Sequence, residues 1–182
     1  PIVVALHKPR GVVTTRSDPE GRPTIYSLLE DLDTHVVPVG RLDLATSGLL
    51  LLTNDTRFSD WLTDPRSGVP RVYLVTARGR VTDEDVDRLG RGVESKGERL
   101  APSAVVLRKA SSRESHLVVT LTEGRNREIR RLFEAIGHEV TSLRRVQVGG
   151  LDLGTLAPRK WRVVGEDEVK QAFPGYRRRP PT

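Results

Sequence analysis

A run of four leucines, Leu49 to Leu52, constrains the fold of this chain more than any other feature of its sequence. Gly48 precedes the run and Asn54-Asp55 follow it, and a short apolar run with such borders is typical of a buried strand. Just upstream lies Asp43, in the segment Gly40-Arg41-Leu42-Asp43. A carboxylate next to a buried strand costs free energy unless it is paired. The segment therefore predicts either a structural ion pair with Arg41 or an acid that is held in place for chemistry.

The composition predicts a globular protein without a membrane segment or disulfides. The chain has 182 residues, of which 36% are hydrophobic and 30% charged, enough for one large domain or two small ones. Its apolar runs are shorter than the roughly 18 residues that a membrane span needs, and no signal pattern is visible, so we expect a cytoplasmic protein. The absence of Cys excludes thiolate metal sites, and the four histidines have no metal-binding spacing, so we expect no metal.

The charge balance favours a polyanionic partner. There are 30 Lys and Arg against 24 Asp and Glu, a net charge of +6. Periodicity predicts a helix over residues 126–136 whose apolar side chains face inward, with arginines on the other side. Either this is a solvated face with Glu partners or, with a second arginine pair on the next predicted strand, it forms one basic wall that contacts phosphates. The residues that we assign to substrate binding are Lys8, Arg10, Arg41, Arg125, Arg127, Arg131, Arg144 and Arg145.

The remaining pattern favours an α+β fold with a mostly antiparallel or mixed sheet, because strands and helices do not alternate regularly. Apolar runs predict strands at residues 2–6, 12–14, 49–53, 72–77, 104–107, 117–121, 140–148 and 163–164. Helices are predicted after Thr24, at 55–62, from Thr82, at 126–136 and at 166–172. We expect residues 1–174 to form the folded domain and residues 175–182 a basic, disordered tail.

Several of these segments together resemble a known family. GRLD and TSGLLLLTND, then RVYLV, then TEGRNREIRRLFEAIGH follow one another in the order of the motifs of bacterial ribosomal-RNA pseudouridine synthases of the Rsu/Rlu branch. KPRGVVTT and SDPEGRPT fit as well, so the resemblance runs from about Leu6 to Trp161. SDPEGRPT and TEGRNRE most resemble the RluB-like enzymes, which act on large-subunit rRNA. The resemblance implies the pseudouridine-synthase fold, a twisted, mainly antiparallel mixed sheet with flanking helices, a central cleft and two joined halves.

The resemblance also implies a reaction and three catalytic residues. The enzymes of this family isomerise uridine to pseudouridine within RNA and use no cofactor or metal. By motif position, Asp43 matches the catalytic aspartate and Tyr73 the residue that stacks on the target nucleobase. Arg130 matches the basic residue that pairs with the catalytic carboxylate. Asp43 acts either as a nucleophile at C1′ or as a base that abstracts a sugar proton. A uridine must be flipped out to be reached, and an aromatic ring offers a stacking surface for it.

Other interpretations stay open at this point. The substrate is either a stem-loop uridine of large-subunit rRNA, which we expect, or small-subunit rRNA or tRNA. A catalytically silent RNA-binding module would need the basic wall but not Asp43. Many relatives have Lys where Arg71 stands and Gln where Glu128 stands, and many carry a small N-terminal S4-type RNA-binding domain, which is not visible here. Either this domain was lost or removed, or the enzyme finds its RNA with the catalytic domain alone. We expect a monomer.

Overall fold

The computed structural model describes residues 1–177 and divides the chain into two compact units. The first unit comprises Pro1–Val69 and the described residues 147–177, and the second comprises Pro70–Val146. Each unit contains both strands and helices, and its strands pair mainly in the antiparallel direction. The α+β class predicted from the sequence is confirmed.

The leucine strand lies at the centre of the first unit. Strand β3 (Thr46–Thr53) pairs with β1 (Val3–Lys8), which also pairs with β11 (Trp161–Val164). Leu49 and Leu51 pack into one apolar cluster with Phe58, whereas Leu50 and Leu52 pack into another with Ile25. Because both faces of the strand are covered, every position from Leu49 to Leu52 is apolar instead of every second one. The buried strand predicted from the sequence is confirmed.

Short elements complete the first unit. Helix α1 starts after Asp55, whose carboxylate accepts hydrogen bonds from the backbone N–H groups of Arg57 and Phe58 and so caps the helix. Near the end of the described chain, the Tyr176 ring packs against Phe58, and its hydroxyl donates to Asp55 at 3.1 Å. The remaining elements are β2 (Val37–Pro38), α1 (Thr56–Thr63), β10 (Leu151–Asp152), α4 (Glu166–Ala172) and 3₁₀ turns at Ile25–Leu28 and Pro65–Ser67.

The second unit packs its helices on a separate core. Its elements are β4 (Arg71–Arg78), α2 (Asp83–Arg91), β5 (Val93–Ser95), β6 (Glu98–Leu100), β7 (Ala104–Ala110), β8 (Glu114–Leu121), α3 (Glu128–Ala135) and β9 (Val140–Val148), of which the last two residues of β9 belong to the first unit. The strand order is β9, β4, β8, β7, and a separate hairpin pairs β5 with β6. Helix α2 begins with a capping box in which the Thr82 and Asp85 side chains bind each other's backbone N–H groups.

The structure differs from the predicted elements at several places. Residues 12–14 form no strand but only one bridge, Val13 to Thr24, and the Thr14 hydroxyl donates to the Leu42 carbonyl of another loop. The hairpin β5–β6 is not predicted, since its strands are short and polar; Lys96 and Gly97, both with positive φ, form its turn. Tyr176 belongs to the folded unit, contrary to the predicted tail, and residues 178–182 lie outside the described part of the chain.

Within residues 1–177, none of the helices has the length and apolar character that crossing a membrane requires.

The Gly149 turn before β10 offers a test of the packing in the first unit. Gly149 has φ +57, and a Cβ built there lies 2.6 Å from Phe173 Cε1, whereas Gly154 has φ +56 and open space around such a Cβ. We expect Gly154→Ala to lower the free energy of unfolding by about 1–2 kcal/mol, the cost of the left-handed conformation. Gly149→Ala should lower it by roughly 1–3 kcal/mol more, because the added methyl group must displace a buried ring. Urea denaturation of both variants measures the difference, and equal losses would contradict the predicted clash.

Candidate active site

Asp43 lies in a loop that Thr46, the first residue of β3, holds from two sides. The Thr46 hydroxyl donates to Asp43 Oδ1 at 2.5 Å, and the Thr46 backbone N–H donates to the Asp43 carbonyl at 3.1 Å. Thr46 is buried, whereas Asp43 is half-buried. The carboxylate is therefore placed by a strand that is itself rigidly packed.

The residues on either side of Asp43 are held by the turn after β1. The Thr14 hydroxyl donates to the Leu42 carbonyl at 2.6 Å, and the Leu42 N–H lies 3.4 Å from the same hydroxyl oxygen. The Gly11 N–H donates to the Leu44 carbonyl at 2.9 Å. These bonds anchor the backbone before and after Asp43 to a second segment of the first unit.

Lys8 is not placed to contact phosphate, contrary to the sequence prediction. Its side chain is fully buried, and its ammonium group donates to the carbonyls of Thr46 at 2.8 Å and Pro9 at 3.0 Å. Burial lowers the pKa of Lys8 to about 8, and the negative charge of Asp43 opposes this shift. Lys8 therefore stabilises the end of the Asp43 loop through hydrogen bonds and is not accessible to solvent.

Tyr73 and Arg130 belong to the second unit, so the predicted convergence with Asp43 stays a prediction. Tyr73 lies on β4 opposite Val119 and packs, half-buried, against the apolar core of the unit. Arg130 lies in the first turn of α3 and is half-buried, with a buried Nε. Arg127, which precedes the helix, has φ +50, a left-handed conformation that is uncommon for a residue with a side chain.

The arginines of the predicted basic wall fall into two groups. Arg131 is buried, contrary to the prediction, and donates to the Ser95 carbonyl at 2.9 Å, the Asn126 carbonyl at 3.1 Å and Glu98 at 3.0 Å. The hairpin β5–β6 thus covers the helix face that periodicity alone assigns to solvent. Arg145 is buried as well. The exposed arginines are Arg10, Arg41, Arg125, Arg127 and Arg144, of which Arg125 is paired with Glu98 and Glu123.

Comparison with known proteins identifies the family. A profile described as RNA pseudouridylate synthase matches residues 2–135, most of the chain. The chain belongs to this family. The resemblance seen in the sequence motifs is thereby confirmed, and the protein is an enzyme, an RNA-modifying isomerase.

Curated relatives agree with this assignment. The synthase is 36% identical over 171 residues to an uncharacterized RNA pseudouridine synthase of Aquifex aeolicus, covering 93% of this chain and 69% of the relative. It is 36% identical over 173 residues to ribosomal large subunit pseudouridine synthase B of Bacillus subtilis, covering 94% and 71%. The protein of the same name from Yersinia pestis is 42% identical over 158 residues, covering 86% of this chain but 50% of the relative.

Solved structures agree on the fold. A crystal structure of a pseudouridylate synthase matches with a TM-score of 0.81 at 28% identity, covering 94% of this chain and 73% of that one. Human RNA pseudouridylate synthase domain containing 1 matches with a TM-score of 0.61 at 15% identity, covering 96% and 92%, and shows the shared fold alone. The predicted pseudouridine-synthase fold is confirmed.

Glu128 is a buried carboxyl of this synthase, so it is not part of the solvated face with Glu partners that the sequence left open as an alternative. It is 3% exposed, and no N–H or hydroxyl donor within residues 1–177 binds either of its oxygens. Burial raises its pKa to about 8, the neighbouring Glu123 carboxyl raises it as well, and Arg125 and Arg131 act in the opposite direction. Burial and the nearby carboxyl thus favour the protonated form of Glu128, which is neutral as a Gln side chain is.

The raised pKa of Glu128 predicts that the stability of the folded protein depends on pH. The pKa in the folded state lies above the ordinary 4.5, so its stabilising contribution is complete below about pH 4.5 and is lost as pH rises through about 8. Glu128→Gln cannot ionise and should escape this loss. At about pH 8.5 we expect its Tm to exceed that of the wild type by at least about 3 °C, roughly the effect of 1 kcal/mol in a chain of this size. At about pH 5 the difference should be smaller.

Thermal melts at both pH values measure the effect. Glu134→Gln, an exposed carboxylate on the same helix, serves as the control and should follow the wild type. An equal change in Tm between the two pH values for the wild type and Glu128→Gln would contradict a raised pKa of Glu128 in the folded protein.

Proposed function

We propose that this synthase isomerises one uridine of large-subunit ribosomal RNA to pseudouridine and that Asp43 is its catalytic carboxylate. The relatives from Bacillus subtilis and Yersinia pestis are named for the large subunit, which supports this substrate. The observation that carries the assignment of Asp43 is its anchoring: Thr46 holds the carboxylate and the peptide behind it. Such placement suits a group that must meet a reacting atom within about 0.5 Å. With this substrate, we expect a monomer that acts in the cytoplasm.

The reaction needs little from the protein beyond placement and charge. The bond between ribose C1′ and uracil N1 breaks, the base turns, C5 bonds to C1′, C5 loses a proton and N1 gains one. In the proposal, Tyr73 stacks on the flipped base while it is detached, and the Arg130 guanidinium pairs with the Asp43 carboxylate and favours its charged form. Asp43 acts on the ribose, as a nucleophile at C1′ or as a base at the neighbouring sugar carbon.

Modification assays test both the substrate and the role of Asp43. The protein is incubated with transcripts of large-subunit rRNA, small-subunit rRNA and tRNA, and pseudouridine is mapped chemically in each. We expect one new site, in the large-subunit transcript. Asp43→Asn keeps the shape of the side chain but removes its nucleophilic and basic character, so it should abolish the reaction while RNA affinity stays within about threefold. The control is Asp33→Asn, an exposed aspartate in the same unit.

Each alternative has its own outcome in this assay. Pseudouridine only in small-subunit rRNA or tRNA would contradict the proposed substrate. RNA binding without any modification would favour a silent binding module. More than about a tenth of wild-type turnover in Asp43→Asn, with reversion to Asp excluded, would contradict the role of the carboxylate; Arg130→Ala should lower turnover more than affinity.

RNA affinity should depend on the exposed arginines and not on the buried ones. Each phosphate contact to single-stranded RNA contributes about −0.7 to the slope of log affinity against log salt. Arg144 is exposed, so Arg144→Ala should reduce the magnitude of the slope by roughly 0.7. Arg131→Ala should leave the slope unchanged and lower the Tm instead, because it breaks the bonds to Ser95, Asn126 and Glu98. Binding titrations at several salt concentrations measure both variants; a slope that changes for Arg131→Ala but not for Arg144→Ala would contradict this division.

A further inference from the structure

The hydroxyl of Thr46 contacts the Asp43 carboxylate directly but has no role in the function proposed above. It is a buried group at the first position of β3, and it donates to Asp43 Oδ1 at 2.5 Å. A short hydrogen bond from a hydroxyl to a carboxylate oxygen is among the stronger kinds in proteins. Because a carboxylate is planar, a bond that fixes Oδ1 also fixes the direction in which Oδ2 points.

Thr46 cannot move away from this position without breaking further bonds. Its carbonyl accepts from the buried ammonium of Lys8 at 2.8 Å, and its N–H donates to the Asp43 carbonyl at 3.1 Å. The next residues of β3 are paired with β1, Gly48 opposite Lys8 and Leu49 opposite His7. Backbone, side chain and strand pairing therefore hold the Thr46 hydroxyl in one place.

We propose that Thr46 is a positioning residue that sets the rotamer of the Asp43 carboxylate for its reaction at the ribose. This rests on the proposed function, since it assumes that Asp43 is the catalytic carboxylate. The backbone of the Asp43 loop is already anchored at Leu42 and Leu44, so the hydroxyl of Thr46 has a separate role, which is to orient the side chain. Loss of the hydroxyl affects the chemical step and leaves RNA binding and the loop backbone in place.

The test separates the hydroxyl from the packing of the side chain. Thr46→Val keeps the shape and removes the donor, Thr46→Ser keeps the donor, and Thr46→Ala removes the donor with less risk of steric conflict. The control is Thr53→Val at the other end of β3, where a buried hydroxyl donates to the Ile2 carbonyl at 2.7 Å, away from Asp43. Turnover and KM are measured on the large-subunit rRNA transcript, with Asp43→Asn in parallel and the Tm of each variant recorded.

We expect Thr46→Val and Thr46→Ala to lower kcat by roughly 30- to 100-fold with KM within about threefold, since small misplacements of a reacting group have effects of this size. Thr46→Ser should restore kcat to within about threefold of the wild type, and Thr53→Val should leave it unchanged. Wild-type kcat in Thr46→Val, with Asp43→Asn inactive, would overturn the inference while the proposed function stands. Equal losses in Thr46→Ser and Thr46→Val would overturn it too, since they would assign the effect to packing. Activity in Asp43→Asn would remove the proposed function and the inference with it.

Discussion

Burial of the leucine strand on both of its faces is the constraint on which the first unit depends. Leu49 and Leu51 fill one apolar cluster and Leu50 and Leu52 the other, so the strand cannot shift by one residue without exchanging the two sets of side chains. Its pairing with β1 holds the register from Thr53 back to Gly48. The position of Thr46, and with it the Asp43 loop, follows from that register.

Two buried cations of this synthase stabilise a loop and a hairpin by binding carbonyl groups. Lys8 joins the Asp43 loop to the end of β1, and Arg131 joins α3 to the hairpin β5–β6. In each case the hydrogen bonds from the charged group to carbonyl oxygens lower the cost of burying the charge. The net charge of +6 is therefore a poor measure of how many cations can bind RNA phosphates, because the buried cations are not accessible to RNA.

The proposed catalytic groups differ in how they are held. Asp43 lies in a loop that hydrogen bonds tie to two segments of the first unit, whereas Tyr73 stands on β4 against the core of the second unit. Arg130 is in the first turn of α3, close to a residue with a left-handed backbone. A reaction that detaches and turns a base needs a fixed carboxylate and a flat surface more than it needs many titrating groups, which are the roles that we propose for Asp43 and Tyr73.

The sequence by itself determined the buried strand, helix α1 to within one residue at each end, the helix that starts after Thr82 and the bounds of β9 and α4, because each follows from a pattern of residues within a few positions of one another. Its ordered motifs also determined the family. The tertiary structure decided which polar side chains are buried. Periodicity shows that Arg130 and Arg131 lie apart from the apolar face of α3, but it cannot show that the hairpin β5–β6 covers Arg131. Lys8 is misplaced for the same reason: a charged residue is assigned to solvent unless distant segments supply the carbonyls that make its burial tolerable. The burial of Glu128 is likewise decided by tertiary packing.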